Sequence, residues 1–181
     1  MKTKFIIIST ILMLTVLSCK NVNETKVVET PKEVVKENFS LEVDVISPND
    51  DDFCLFYTED GSINYNADKA VWFNVKGKSE TQKAIFNLKT EVLPTNIRID
   101  FGIKQDKGDV TIENFKINYF GKSFEAKGSN FLTYFKPNTV LKTDLDQAKG
   151  TIRIQKDVNK PFTPAFYPEQ ALINEIKKIT K

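Results

Sequence analysis

The chain of 181 residues contains no histidine. Histidine is the usual general base of nucleophilic triads and a common zinc ligand, so its absence excludes His-based triads and most zinc sites. The sequence also lacks a glycine-rich phosphate loop, and it has only two cysteines. These absences favour a protein that is not an enzyme and that carries no cofactor and no metal.

Carboxylates are the catalytic groups that remain. A pair of them can hydrolyse a glycoside, and Glu59, Asp60, Asp100 and Asp109 are candidates. The chain has 24 acidic residues, however, so chance pairs are common and no spacing marks one of them. The acidic turns at 49–52 (NDDD) and 104–109 (KQDKGD) offer oxygen ligands of the kind that Ca²⁺ takes, but neither matches an EF-hand loop. We therefore expect these turns to be solvated.

A hydrophobic run long enough to span a membrane as a helix is also missing, since such a run needs about 20 residues. The longest one, residues 5–17, follows Lys2 and Lys4 and ends at VLSC, residues 16–19. A cationic start and a short apolar run are typical of a secretory signal peptide. The ending resembles the lipobox of bacterial lipoproteins, which implies cleavage before Cys19 and lipid on its thiol. The alternative is an ordinary signal peptide in which the cysteine is incidental.

The lipoprotein interpretation predicts a protein of the bacterial cell envelope, anchored by lipid and facing the periplasm or the exterior. Removing residues 1–18 takes away two of the 26 basic side chains, so 24 remain against 24 acidic ones. A neutral chain argues against a nucleic-acid partner. With Cys19 lipidated, Cys54 has no disulfide partner, and its apolar neighbours in DFCLFY predict a buried, unreactive thiol.

Residues 19–38 are rich in Lys, Glu, Thr and Val and contain no aromatic side chain. Such a segment cannot bury enough apolar surface to offset the entropy of ordering, so the sequence predicts a flexible tether. A coil of this length reaches roughly 25 Å.

Residues 39–156 predict one mostly β domain, an antiparallel β-sandwich of jelly-roll type. Apolar and polar residues alternate in short segments, and turn signals recur between them. The predicted strands cover residues 39–45, 53–57, 70–75, 84–88, 97–101, 110–119, 131–135 and 151–154, with a further strand after the turn at 121–122. A shift in the alternation of 110–119 predicts a β-bulge near Asn114.

Residues 157–181 predict a Pro-rich extended segment followed by a short C-terminal α-helix. Leu172, Ile176 and Ile179 share one helical face, and Pro168 suits the first helical position. This helix is expected to cap one edge of the sandwich, although docking of a partner is an alternative.

The succession FCLFYTEDG, VWFNVKG, KAIFNL and IRIDFGIKQDKGDVTIENFKI, between residues 53 and 117, resembles accessory β-sandwich domains of the galactose-binding-like, carbohydrate-binding-module type. Similar segments occur in bacterial glycosyltransferases that act on surface polysaccharides. The chain departs from that pattern at Phe101, where a proline is common, and at Ile63-Asn64. The resemblance implies a non-catalytic module that binds or accompanies a glycan.

Two functional hypotheses follow. In the first, the domain binds a neutral polysaccharide, with sugar rings stacked on aromatic faces and polar groups bonding the hydroxyls. The candidate binding residues are Tyr57, Glu59, Asp60, Tyr65 and Trp72. In the second, the domain is a scaffold that docks a protein of the cell envelope through an exposed apolar patch.

Lipidation gives the first testable prediction. Mass spectrometry of the protein extracted from membranes should show an N-terminus at Cys19 that carries a diacylglycerol thioether and an amide-linked acyl group. Cys19→Ala should accumulate as an unprocessed precursor. A mature N-terminus at any other residue would overturn the lipobox interpretation.

Overall fold

The computed structural model describes residues 38–104, 108–138, 141–156 and 163–181. The predicted signal peptide (1–18), Cys19 and the tether up to residue 37 lie outside the described residues, as do residues 105–107 of one acidic turn and residues 157–162. The described elements are the strands β1 (Ser40–Ser47), β2 (Asp51–Thr58), β3 (Ala70–Val75), β4 (Lys78–Asn87), β5 (Asn96–Asp100), β6 (Val110–Tyr119), β7 (Lys122–Lys127), β8 (Phe135–Pro137), β9 (Lys142–Asp146), β10 (Thr151–Gln155) and β11 (Ala165–Pro168), and the helices α1 (Phe131–Tyr134) and α2 (Gln170–Ile179).

The described strands form two antiparallel sheets. One has the order β4-β1-β6-β10-β9, with β7 paired to β6, and the other has the order β3-β2-β5-β11-β8. The inner faces of both sheets contribute to one hydrophobic core. The predicted fold class, a mostly β antiparallel sandwich with a short C-terminal helix, is confirmed.

Strand β1 shows how the sequence selects the inner face. Leu41 and Val43 are buried in the core, while the intervening Glu42 and Asp44 point outward because side chains alternate along a strand. Both carboxylates lie within ion-pair distance of Lys83 on β4, at 3.5 and 2.8 Å. A slip of one residue would exchange these charges with the core residues, which fixes the register.

Strand β6 organises the larger sheet. It pairs with β1 along one edge, and along the other edge it pairs first with β10 and then with β7. Asp44 is opposite Asn114 and Val45 is opposite Ile112, so Glu113 is an extra residue. This confirms the predicted bulge.

Five phenylalanines join the two sheets. Phe131 stacks on Phe135 at 4.6 Å between ring centroids, and its ring also meets Phe115 of β6 at 5.8 Å. Phe101, which follows β5, and Phe166 of β11 contact Phe131 at 5.7 and 5.2 Å. All five are buried.

The prediction of a strand over 131–135 is wrong for its first four residues, which form α1. One helical turn brings side chains four residues apart to the same face at close range. Because of this short distance, the ring of Phe131 can stack on the ring of Phe135. In a strand the same two side chains would be about 13 Å apart.

The C-terminal segment contributes to the smaller sheet. Strand β11, which lies in the Pro-rich segment, pairs with β5 and β8. Pro168 is its last residue and not the first of the helix, because Glu169 has an extended backbone and precedes α2. The predicted apolar face of α2 is confirmed, since Leu172, Ile176 and Ile179 are buried.

A buried ion pair closes the end of the sandwich where β2 begins. The Asp51 carboxylate is fully buried and lies 2.6 Å from the Lys156 ammonium; it also accepts bonds from the amides of Ile103 and Lys104. Gly102 has a positive φ of 91°, and a β-carbon there would collide with both charged groups. The expectation of a solvated turn at 49–52 is therefore wrong at Asp51.

Asp51→Asn is expected to destabilise the protein by about 3–5 kcal/mol, because it leaves the Lys156 ammonium buried without its counter-charge. Urea denaturation measures this loss. The matched control is Asp50→Asn, next to it in sequence but exposed, which should change stability little. Equal effects of the two variants would contradict a specific role for the buried pair.

The same pair gives an acid-sensitive contribution. Burial alone would raise the pKa of Asp51, but the hydrogen bond and charge of Lys156, with backbone amides, lower the pKa below its ordinary value. The contribution of Asp51 is therefore present above about pH 4 and is lost as the pH falls toward the lowered folded-state pKa. Asp51→Asn should remove this part of the acid dependence.

Candidate functional site

The outer face of the smaller sheet carries a cluster of aromatic and charged side chains. Phe53 and Leu55 of β2 point into the core, so Cys54 and Phe56 point outward. The strand register places Trp72 of β3 opposite Cys54. We use the name aromatic face for the outward-facing set at this place: Phe56, Tyr65, Trp72, Arg98, Asp100 and Tyr167.

Arg98 lies at the centre of the aromatic face. It stands opposite Phe56 in the register of β2 and β5, and its guanidinium carbon is 4.2 Å from the centroid of the Phe56 ring. The rings of Tyr65 and Tyr167 lie 5.4 and 5.6 Å from the same carbon. The planar guanidinium is weakly hydrated and stacks well on aromatic rings, so this environment suits it.

Asp100 fixes the orientation of that guanidinium. It accepts one hydrogen bond from Nε and one from Nη2 of Arg98, each 2.8 Å long. Burial raises the pKa of the Asp100 carboxyl above its ordinary value, although the two bonds from Arg98 act in the opposite direction. The two charges cancel, which leaves a rigid, polar and neutral pair beside the aromatic rings.

Trp72 is the exposed member of the aromatic face. About 54% of its surface is accessible, and its ring meets the Phe56 ring at 6.5 Å in an edge-on arrangement. Strand β3 is at the edge of its sheet. Trp72 therefore belongs to the surface and not to the core.

Tyr65 joins the aromatic face from the loop after β2. Its ring lies 5.8 Å from that of Tyr167, and its hydroxyl is buried with no hydrogen-bond partner among the described residues. Burial raises the pKa of this phenol, while the nearby Arg98 opposes the rise. A buried hydroxyl without a partner can still donate to a ligand or a water molecule.

The other predicted binding residues lie elsewhere. Tyr57 packs against the core, with the Lys69 ammonium 6.0 Å from its ring centroid. Glu59 forms an ion pair with Lys69 at 2.8 Å, and Asp60 accepts a bond from the amide of Ser62 in the turn. The structure thus brings together Tyr65 and Trp72, but not the remaining three.

The sequence alone did not single out Phe56, Arg98 or Tyr167, and it offered Asp100 only as a candidate catalytic carboxylate. Phe56, Arg98 and Asp100 could have been placed on one face, because residues two apart on a strand share a face. Knowing that Phe53 points inward would have placed Phe56 outward, and Arg98 and Asp100 would follow as one outward pair. Tyr167 could not be found in this way, because β11 was not predicted as a strand.

Cys54 lies beneath this cluster and is inert. It is buried, as predicted, and it faces Trp72 on one side and Asp100 on the other. Burial, and then the charge of Asp100, raise the pKa of the thiol to about 12. The reactive thiolate is therefore not populated at neutral pH.

A second surface feature is an open groove of about 720 Å³ over the larger sheet. Strands β6, β9 and β10 line it, and its charged groups bond other polar side chains. The Arg153 guanidinium bonds Asp144, Gln155 donates to the same carboxylate at 3.1 Å, and Glu113 accepts from Thr81 at 2.7 Å. The groove contains no aromatic ring on which a sugar could stack.

Among the residues that the structure describes, no three acidic or cysteine side chains are grouped so that they could hold a metal ion. In the same part of the chain, no helix has the length and apolar character needed to cross a membrane. No family model matches the chain, and neither a curated protein nor a solved structure matches it.

Exposure of Trp72 predicts a small effect on stability. Trp72→Ala should cost about 1 kcal/mol, since it removes a partly exposed ring contact. Phe53→Ala, which empties a fully buried site on the neighbouring strand, should cost about 3–5 kcal/mol. Thermal melts of the two variants would separate these values, and a Trp72→Ala melting point as low as that of Phe53→Ala would show that the ring is part of the core.

Proposed function

We propose that the protein is a membrane-anchored lipoprotein whose β-sandwich binds a neutral glycan without cleaving it. The observation that carries this proposal is the exposed Trp72 ring beside the Arg98–Asp100 pair on the aromatic face. Aromatic faces take the apolar side of a sugar ring, and fixed donors and acceptors bond its hydroxyls. The aromatic face offers both within one sheet surface.

Charge supports a neutral ligand. The Arg98 guanidinium is paired with Asp100, so the aromatic face has no unpaired cation to attract an acidic sugar. The chain after residue 18 is neutral overall, which gives little long-range attraction to a polyanion. Binding to a neutral glycan should therefore change little with ionic strength.

The proposed anchor suits weak binding. A lipid on Cys19 and a tether of roughly 25 Å confine the sandwich to a thin layer next to the membrane. Within that layer the effective concentration of a polymeric ligand is high, so weak contacts that repeat along the polymer give useful retention.

Affinity electrophoresis through gels that contain neutral polysaccharides tests the binding site. Trp72→Ala should bind the glycan at least tenfold more weakly and be retained less in the gel, because a central aromatic anchor commonly contributes more than 1.4 kcal/mol to binding. Trp72→Phe should retain part of the binding. The matched control is Ile103→Ala, which removes a similarly exposed apolar side chain away from the aromatic face and should bind normally.

The same gels separate the two surfaces. Loss of binding in Arg153→Ala, with Trp72→Ala unaffected, would move the site to the groove over β6, β9 and β10. No retention on any neutral glycan, together with co-purification of one envelope protein, would favour the scaffold hypothesis. Retention that falls steeply with salt would contradict the proposed neutral ligand.

A further inference from the structure

One end of the sandwich carries exposed apolar side chains on separate loops. Ile63, Leu93 and Phe120 are 64%, 40% and 50% accessible. Each follows a different strand, namely β2, β4 and β6. We call these three side chains the apolar rim.

The strand register places Phe120 at the end where the domain begins. Ser40, the first residue of β1, is opposite Asn118 of β6, and Asn118 is opposite Ser123 of β7. Phe120 is in the turn that joins β6 to β7. The chain that precedes β1 therefore emerges beside the Phe120 turn.

Leu93 lies in the loop that crosses between the sheets at this same end. The loop starts beside the beginning of the domain, since the Leu88 amide bonds the Phe39 carbonyl at 2.9 Å. It finishes at the end of β2, where the Thr95 amide bonds the Thr58 carbonyl at 2.7 Å.

Ile63 lies in the loop that follows β2, and this loop is tied to the one that holds Leu93. The Gly61 amide donates to Oγ1 of Thr95 at 2.9 Å, and Thr58 donates to the Ser62 carbonyl at 2.7 Å. The three loops of the apolar rim thus share one end of the sandwich.

The Phe120 turn is unusual for its backbone. Phe120 has φ of 45° and Gly121 has φ of 77°, the pattern of a hairpin turn that normally holds Asn, Asp or Gly at the first of these positions. An aromatic residue in the left-handed region is an outlier, and such outliers cluster at functional positions. The Phe120 ring is half exposed and rests only partly on Tyr119, at 4.8 Å.

Charge at this end is mixed. Lys89 and Lys122 are exposed, and so are Asp60 and Glu91. A surface that bound anionic lipid through charge would show an excess of cations. Contact with a bilayer at this end would therefore depend on the apolar side chains.

We propose that the apolar rim inserts into the headgroup–acyl boundary of the bilayer in which the lipid on Cys19 is anchored. This inference rests on the lipidation in the proposed function. The predicted tether joins the domain at the end that holds the apolar rim, which keeps that end within reach of the membrane. Three exposed apolar side chains on separate loops then reach the interface together, as in other interfacial attachments that bury apolar surface.

Tryptophan quenching tests the proposal on the full chain. The protein is purified from bacterial membranes and reconstituted in phosphatidylcholine vesicles that contain brominated acyl chains, in a Trp72→Phe background. Phe120→Trp should be quenched strongly. Ile103→Trp is the control, because its amide bonds Asp51 at the opposite end of β2, about 20–25 Å from the apolar rim.

Vesicle flotation is measured on the same samples. Quenching at 120 that exceeds quenching at 103 at least twofold supports the proposal, and equal quenching at the two positions overturns it. If the protein does not float with the vesicles, the proposed lipidation is wrong and this inference is wrong with it. If the protein floats but the tryptophan at position 120 is not quenched, the lipid anchor stands and the insertion is rejected. Shielding of the 120 tryptophan from aqueous iodide only in native membranes would assign the apolar rim to a protein partner instead.

Discussion

The contact between Phe131 and its neighbours determines where the aromatic face lies. Its ring is stacked on Phe135 and touches rings from both sheets, so it fixes the distance and orientation of one sheet against the other. Phe166 of β11 is held inward by this cluster. Alternation along β11 then turns Tyr167 outward, beside Arg98. An aromatic contact in the core thus contributes directly to the aromatic face.

Two ion pairs in the protein have different structural roles. The pair of Asp51 and Lys156 is inside, where removing one partner is costly, and it holds the residue after β10 to the start of β2. The pair of Arg98 and Asp100 lies on the outer face of a sheet, where the aromatic rings leave about 20% of the Arg98 side chain and 9% of the Asp100 side chain exposed. The first stabilises the fold, and the second presents donors and acceptors in a fixed plane.

The sequence indicated most strands whose polar and apolar residues alternate, including β3 and β6 with its bulge. It missed the first residues of β4 and all of β9, because these edge strands are largely polar and have no apolar face to mark them. It could not assign Trp72 to the surface, since alternation shows that Trp72 and Phe73 face opposite sides without showing which side is the core. The same limit applies to Tyr57, whose side chain packs against the core.

One edge of β6 is shared by two strands, β10 and β7, and this affects the order in which the sheet can be completed. Residues 111–112 pair on one side with β1, and residues 110–112 pair on the other side with β10, which is synthesised about 40 residues later. Strand β7 cannot pair with residues 110–112, because the chain leaves the edge of β6 at Gly128. At Gly128 the backbone passes so close to β6 that a β-carbon would strike the Ile112 carbonyl. A nascent chain therefore holds a short open sheet edge until residue 154 is available, and pairing with another chain is a hazard during that interval. Export in an unfolded state would postpone this hazard until the whole chain is present.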